Sequence, residues 1–79
     1  MDIRFRYLCA TRNTSGELTT VERGWYYLKD DTIKQLQLLA AQYPLATFFL
    51  YEEEFDEQNR TWRLKKSNEI SASVVLSAA

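Results

Sequence analysis

The sequence predicts a small α+β domain: an antiparallel sheet of four or five strands with one helix on one face, in the order β-β-α-β-β-(β). Three observations carry that reading. Apolar and polar residues alternate from the N-terminus, the apolar spacing changes to three and four in the middle, and alternation then returns through a charge-rich hairpin. Strands flanking a lone helix fit an α+β architecture. With 79 residues the chain forms one domain, 1–79, because a chain near this size buries only ~60% of its unfolded surface and cannot build two cores.

Residues 2–10 form the first strand, with Ile3, Phe5, Tyr7 and Cys9 on one side and Asp2, Arg4 and Arg6 on the other. The following TRNTSGE gathers turn-forming residues and reads as a hairpin loop. A second strand over 19–28 sets Val21, Trp25 and Tyr27 against Glu22, Gly24, Tyr26 and Leu28. Over 32–43 the stripe Ile33, Leu36, Leu39, Ala40 and Tyr43 marks an amphipathic helix. Asp30, Asp31 or Thr32 can cap its start, Thr32 and Gln35 have capping-box form, and Pro44 stops it.

Strands over 46–56 and 61–66 then pair around the loop 57–60. In the register that matches charges, Phe55 meets Trp62, Glu54 meets Arg63, Glu52 meets Lys65 and Tyr51 meets Lys66. Residues 70–76, where Ile70, Ala72, Val74 and Leu76 alternate with small residues, form a fifth strand or a tail.

The acidic run in FFLYEEEFDEQNRTWRLKK is therefore one side of a hairpin, facing cations rather than gathering around a metal. A strand points Glu52 and Glu54 one way and Glu53 the other, which suits no calcium site. Glu53 falls on the side of Phe49, Tyr51 and Phe55, where it needs a partner, and Lys66 or Lys34 can supply one.

The chain contains no histidine, the commonest general base, and its single cysteine, Cys9, sits in the apolar alternation of the first strand as a small buried hydrophobe. No enzyme, catalytic residue, cofactor or metal site is expected. One cysteine, no leader-like segment and no apolar run near the ~20 residues that span a bilayer lead us to expect a cytoplasmic, soluble protein without a membrane partner. Ten Lys and Arg against eleven Asp and Glu give a net charge of −1, which disfavours a nucleic-acid partner.

RGWYYL, residues 23–28, resembles over six residues the basic-Gly-aromatic core of the RNA-binding ribonucleoprotein motif, in which sheet-face aromatics stack on bases. That domain has two helices in β-α-β-β-α-β order, unlike this chain, so no family is assigned. The aromatic-rich alternation places Ile3, Phe5, Tyr7, Val21, Trp25, Tyr27, Phe49, Tyr51, Phe55, Trp62 and Leu64 under the helix. The opposite face then holds Leu8, Ala10, Tyr26, Leu28, Phe48 and Leu50 beside Arg4 and Arg6.

Large apolar groups on an uncovered face mark an interaction site. The expected function is a non-catalytic protein–protein interaction or assembly module, a homodimer or a small adaptor or inhibitor, binding through Leu8, Tyr26, Leu28, Phe48, Leu50, Arg4 and Arg6. The alternative is a single-stranded nucleic-acid-binding module using Arg4, Arg6 and Tyr26 on that face.

Overall fold

Strand β1 (Ile3–Arg12) lies inside the sheet and pairs antiparallel with both β2 (Leu18–Tyr26) and β3 (Thr47–Asp56). β4 (Thr61–Ser71) completes the order β2-β1-β3-β4. Helix α1 (Lys29–Gln42) joins β2 to β3, and a short helix α2 (Ala72–Ser77) follows β4. The computed structural model describes residues 2–77; of the domain expected over 1–79, Met1, Ala78 and Ala79 lie outside the described residues. The expected α+β fold, an antiparallel sheet with a helix on one face, is the observed one.

Both helices lie on one side of the sheet, where Tyr7 and Cys9 of β1, Phe48 and Leu50 of β3, Leu36, Leu39 and Ala40 of α1, and Ala72 and Val75 of α2 share one core. Phe5 and Tyr26 pack against it from the sheet, and Ile33 and Tyr43 from α1. The faces of β2 and β3 are thus the reverse of the expected ones. β1 decides them: Cys9 pairs with Phe48, Tyr7 with Leu50 and Phe5 with Tyr26, and paired residues point to the same side. Both strands carry large apolar groups on both sides, so alternation within either cannot orient it.

Each edge strand contains a bulge. Cys9 pairs with Glu22 but Ala10 with Thr20, and Glu52 pairs with Lys66 but Glu53 with Leu64. The second bulge corrects the expected hairpin register: Asp56–Thr61, Phe55–Trp62 and Glu54–Arg63 pair as charge matching requires, whereas Glu52 faces Lys66 and Tyr51 faces Ser67. An extra residue on one strand shifts everything beyond it. Lys65 still reaches Glu52, at 3.7 Å.

The helix starts three residues earlier than expected, and the capping box does not form. Leu28 is the N-cap and supplies no side-chain bond; Thr32, fully buried, donates its hydroxyl to the Leu28 carbonyl at 3.1 Å. Gln35 instead donates to Glu22 at 2.9 Å, joining Tyr7, whose hydroxyl donates to the same carboxylate oxygen at 3.1 Å. Asp30 and Asp31 stand in the first turn, where the helix dipole favours acids. Before Pro44 the chain leaves the helix at Tyr43, whose N–H closes the last turn on Leu39 at 2.7 Å.

Residues expected as a fifth strand are split between the end of β4 and α2. Ser71 Oγ accepts the Val74 N–H, Ala72 N–H bonds the Ala46 carbonyl, and the buried residues Ala72 and Val75 are spaced by three, a helical interval. Of the other members of the expected strand face, Ile70 packs against the core while Val74 and Leu76 are exposed.

Two glycines are required by geometry. Gly16 closes the β1–β2 turn at φ 83°, beside Asn13, whose side-chain oxygen accepts the N–H groups of Ser15 and Glu17. Gly24 pairs with Tyr7, and a methyl there would lie 2.7 Å from the phenol oxygen and 3.0 Å from the ring. Gly24→Ala should therefore destabilise the fold by about 1–3 kcal/mol, the usual cost of overpacking, measured as a lowered midpoint of urea unfolding with an unchanged slope.

Candidate functional site

The sheet side away from the helices is uncovered, and the strand pairings arrange it in rows. Arg23, Leu8, Phe49 and Glu69 form one row; Trp25, Arg6, Tyr51 and Ser67 form the next. Arg4, Glu53 and Leu64 form the third, Phe55 and Trp62 pair beyond it, and Tyr27, the residue after β2, packs its ring against Trp25. Trp25, Tyr27 and Leu64 are 46%, 44% and 54% exposed. Phe49, Tyr51, Phe55 and Trp62 are half-buried, sheltered by one another and by the arginines.

Glu53 organises this face. Its carboxylate is buried and accepts Arg4 Nε on one oxygen at 2.8 Å and Arg6 Nε on the other at 3.2 Å. Each guanidinium also lies over aromatic rings: Arg4 is 4.3 Å from the Trp62 centroid and 5.5 Å from that of Trp25, and Arg6 is 4.3 Å from Tyr51. Such contacts contribute about 0.5–2 kcal/mol, depending on how dry they are. Arg4 thereby connects the central strand to both edge strands. Edge-to-face pairs, Trp25 on Tyr27 at 4.9 Å and Phe55 on Trp62 at 5.3 Å, complete the layer.

The expected partners of Glu53, Lys66 and Lys34, are therefore replaced by Arg4 and Arg6. Glu53 shares a side of β3 with Phe49, Tyr51 and Phe55 as expected, but that side is the open one and not the helix-covered one; what sequence reasoning missed was the β1–β3 register, which places Arg4 opposite Glu53. The signal was present as two arginines and one isolated acid, but pairing across 49 positions leaves no local pattern.

Of the residues expected to bind a partner, Leu8, Arg4 and Arg6 lie on this open face. Phe48 and Leu50 are buried under the helices, Tyr26 stacks on Tyr7 at 6.3 Å in that same layer, and Leu28 stands exposed at the start of α1. Arg4, Arg6 and Tyr26 thus do not share a face. Trp25, Tyr27, Phe49, Tyr51, Trp62 and Leu64, expected in the core, occupy the open face instead.

The open face also has a shallow hollow of about 550 Å³, bounded by Arg6, Leu8, Arg23 and Trp25. Arg23 and Glu69, at opposite ends of one row, take part in none of the ion pairs among the described residues. No group of three or more His, Cys, Asp and Glu side chains able to hold a metal ion forms among the described residues. Nor is any described helix long and apolar enough to cross a membrane.

Burial alone would push the Glu53 carboxyl up; the hydrogen bonds and charges of Arg4 and Arg6 outweigh it and hold the carboxyl below its usual range. A depressed folded pKa contributes stability that is complete above the ordinary value of 4.5 and is lost as pH falls through the folded value. Glu53→Gln should cost roughly 1.5–3 kcal/mol at neutral pH, the range for a hydrogen bond to a charged group. In denaturant titrations carried from neutral to acid pH, the difference between wild type and variant should close below pH 4.5.

Comparison with protein-family models, curated proteins and solved structures finds no match to this chain.

Proposed function

We propose that this chain is a non-catalytic protein-interaction or assembly module whose binding surface is the open face of its sheet. One observation carries the reading: Trp25, Tyr27 and Leu64 stand about half exposed on a face that neither helix covers, around a charge cluster already neutralised in part from within. Rings held by neighbouring rings and guanidiniums lose little conformational freedom on binding, which makes such residues effective anchors. The absence of histidine and the burial of Cys9, whose thiol is pushed up by that burial and by nearby Glu22, favour binding over catalysis. The lone buried thiol also supports a cytoplasmic setting.

A single-stranded nucleic acid is a less suitable occupant. Arg4 and Arg6 direct their Nε groups at Glu53 and lie against rings, so fewer donors face outward for phosphates, and the whole chain is net negative.

Sedimentation over a concentration series, combined with charged substitutions, tests the assignment. Wild type should gain mass with concentration, whereas Trp25→Lys and Leu64→Lys should stay folded and monomeric. Leu38→Lys, on the outer surface of α1 and 68% exposed in the wild type, should associate as wild type does. Association that persists in both open-face variants would sink the proposal. Salt-sensitive binding of a mixed oligonucleotide pool that disappears in Arg6→Ala would instead establish the nucleic-acid reading.

A further inference from the structure

We infer that the partner of the open face is a second copy of this chain, stacked on it by a two-fold axis that runs parallel to the strands, midway between β1 and β3. The inference rests on the open face being the binding surface and adds which partner it takes and in what orientation. Stacked sheets keep their strands roughly aligned, within about 30°. Two-fold axes lying in the plane of contact satisfy that in two ways, along the strands or across them, and the row structure separates them.

An axis along the strands lays each row over itself in reverse order. Arg23 then meets the partner copy's Glu69, Trp25 its Ser67, and Tyr27 its Leu64. Arg4 stacks on the second Glu53, doubling a favourable arrangement of charge. Large groups meet small or flexible ones along both edges. An axis across the strands lays the first row over the third. It would put Arg23 against Tyr27, Glu69 against Leu64, Arg4 against Leu8 and Glu53 against Phe49, so that these four charges each meet an apolar group, and it would lay Arg6 over the second copy's Arg6. Uncompensated burial of charge disfavours that arrangement.

The hollow beside Arg23 agrees with the first axis. It lies at the β2 edge, bounded by Arg6, Arg23 and Trp25, and the strand-parallel axis brings the second copy's Glu69 over it, between two guanidiniums. Arg23 and Glu69 are both exposed and outside the ion pairs among the described residues, so neither has to leave one of those pairs. A rotation of about 30° between the sheets shifts the edge strands by about one residue, within the reach of an arginine and a glutamate. Four strands spaced about 4.8 Å apart, over a depth of nine residues at about 3.3 Å each, give roughly 600 Å² per copy, at the lower bound of stable interfaces. The chain is only 16 Å thick along its shortest axis, so a second layer nearly doubles it.

The test uses the intact chain. Arg23→Glu and Glu69→Arg should each weaken dimerisation by at least about tenfold in sedimentation, and the double variant should return to within about threefold of wild type, because the swap restores opposite charges. In a second measurement, the variant carrying Arg23→Cys and Glu69→Cys is oxidised and run on non-reducing gels. Within one chain these positions are three strand spacings apart, about 14 Å, too far for a disulfide, so a bond between them must join two copies. A covalent dimer is expected, while Arg23→Cys with Tyr27→Cys, the pair that an axis across the strands would unite, should remain uncoupled.

Cross-linking of 23 with 27 but not 69, or additive losses in the double charge variant, would overturn the axis. If Trp25→Lys and Leu64→Lys still dissolve the dimer in that case, the open face stands and the arrangement alone falls. A wild-type protein that stays monomeric across the concentration series overturns the second copy as partner.

Discussion

The structure depends on the double pairing of β1. Because Phe5, Tyr7 and Cys9 project to one side and β1 pairs with strands on both flanks, it dictates which residues of β2 and β3 go under the helices and which are left outside. Tyr7 and Cys9 accept the helix stripe of Leu36, Leu39 and Ala40, and Gly24 yields the space that the Tyr7 ring needs. Slipping β1 by one residue would exchange the two faces of the sheet and bring Arg4 and Arg6 beneath α1. The register is thus protected both by burial on one side and by the Glu53 ion pairs on the other.

A carboxylate among aromatic rings is costly unless it is fully paired. Glu53 is matched oxygen by oxygen by two arginines that themselves rest on Trp62, Trp25 and Tyr51, so the rings shield the ion pairs and the ion pairs hold the rings. The open face is therefore ordered before anything binds to it. A surface of this kind differs from a loose apolar patch, because its side chains occupy their positions without help from a ligand, and little ordering cost remains for association.

Much of the fold was legible locally. Strict alternation marked β1, three-and-four spacing marked α1, and the polar DEQN marked the β3–β4 turn, where Asp56 accepts the N–H groups of Gln58 and Asn59. Legibility ended where local pattern did not distinguish alternatives. Trp25 and Tyr26, or Phe48 and Phe49, are equally suited to either side of a sheet, and only pairing with β1 chooses between them. Ser71 and the Ala72–Val75 spacing could have announced α2, but the competing alternation of Ile70, Ala72, Val74 and Leu76 hid them. The bulge that leaves Lys65 without a partner residue in the strand ladder had no signal in a stretch where every shift still offers an opposite charge. The candidate surface followed the faces: that an uncovered side existed was readable, while which aromatics lined it was not.

The placement of β1 between β2 and β3 also bears on how the chain reaches this state. β1 with β2, and β3 with β4, are hairpins closed by short turns, and each can form from residues near in sequence. The β1–β3 ladder is different, since it brings Ile3 beside Glu54 and Ala10 beside Thr47 across the whole helical segment. Closing so long a loop costs chain entropy before its contacts are gained, so this ladder carries a larger closure cost than either hairpin. The Arg4–Glu53 contact belongs to that ladder, so the open face is completed only when the two hairpins have joined, with α1 as the tether between them.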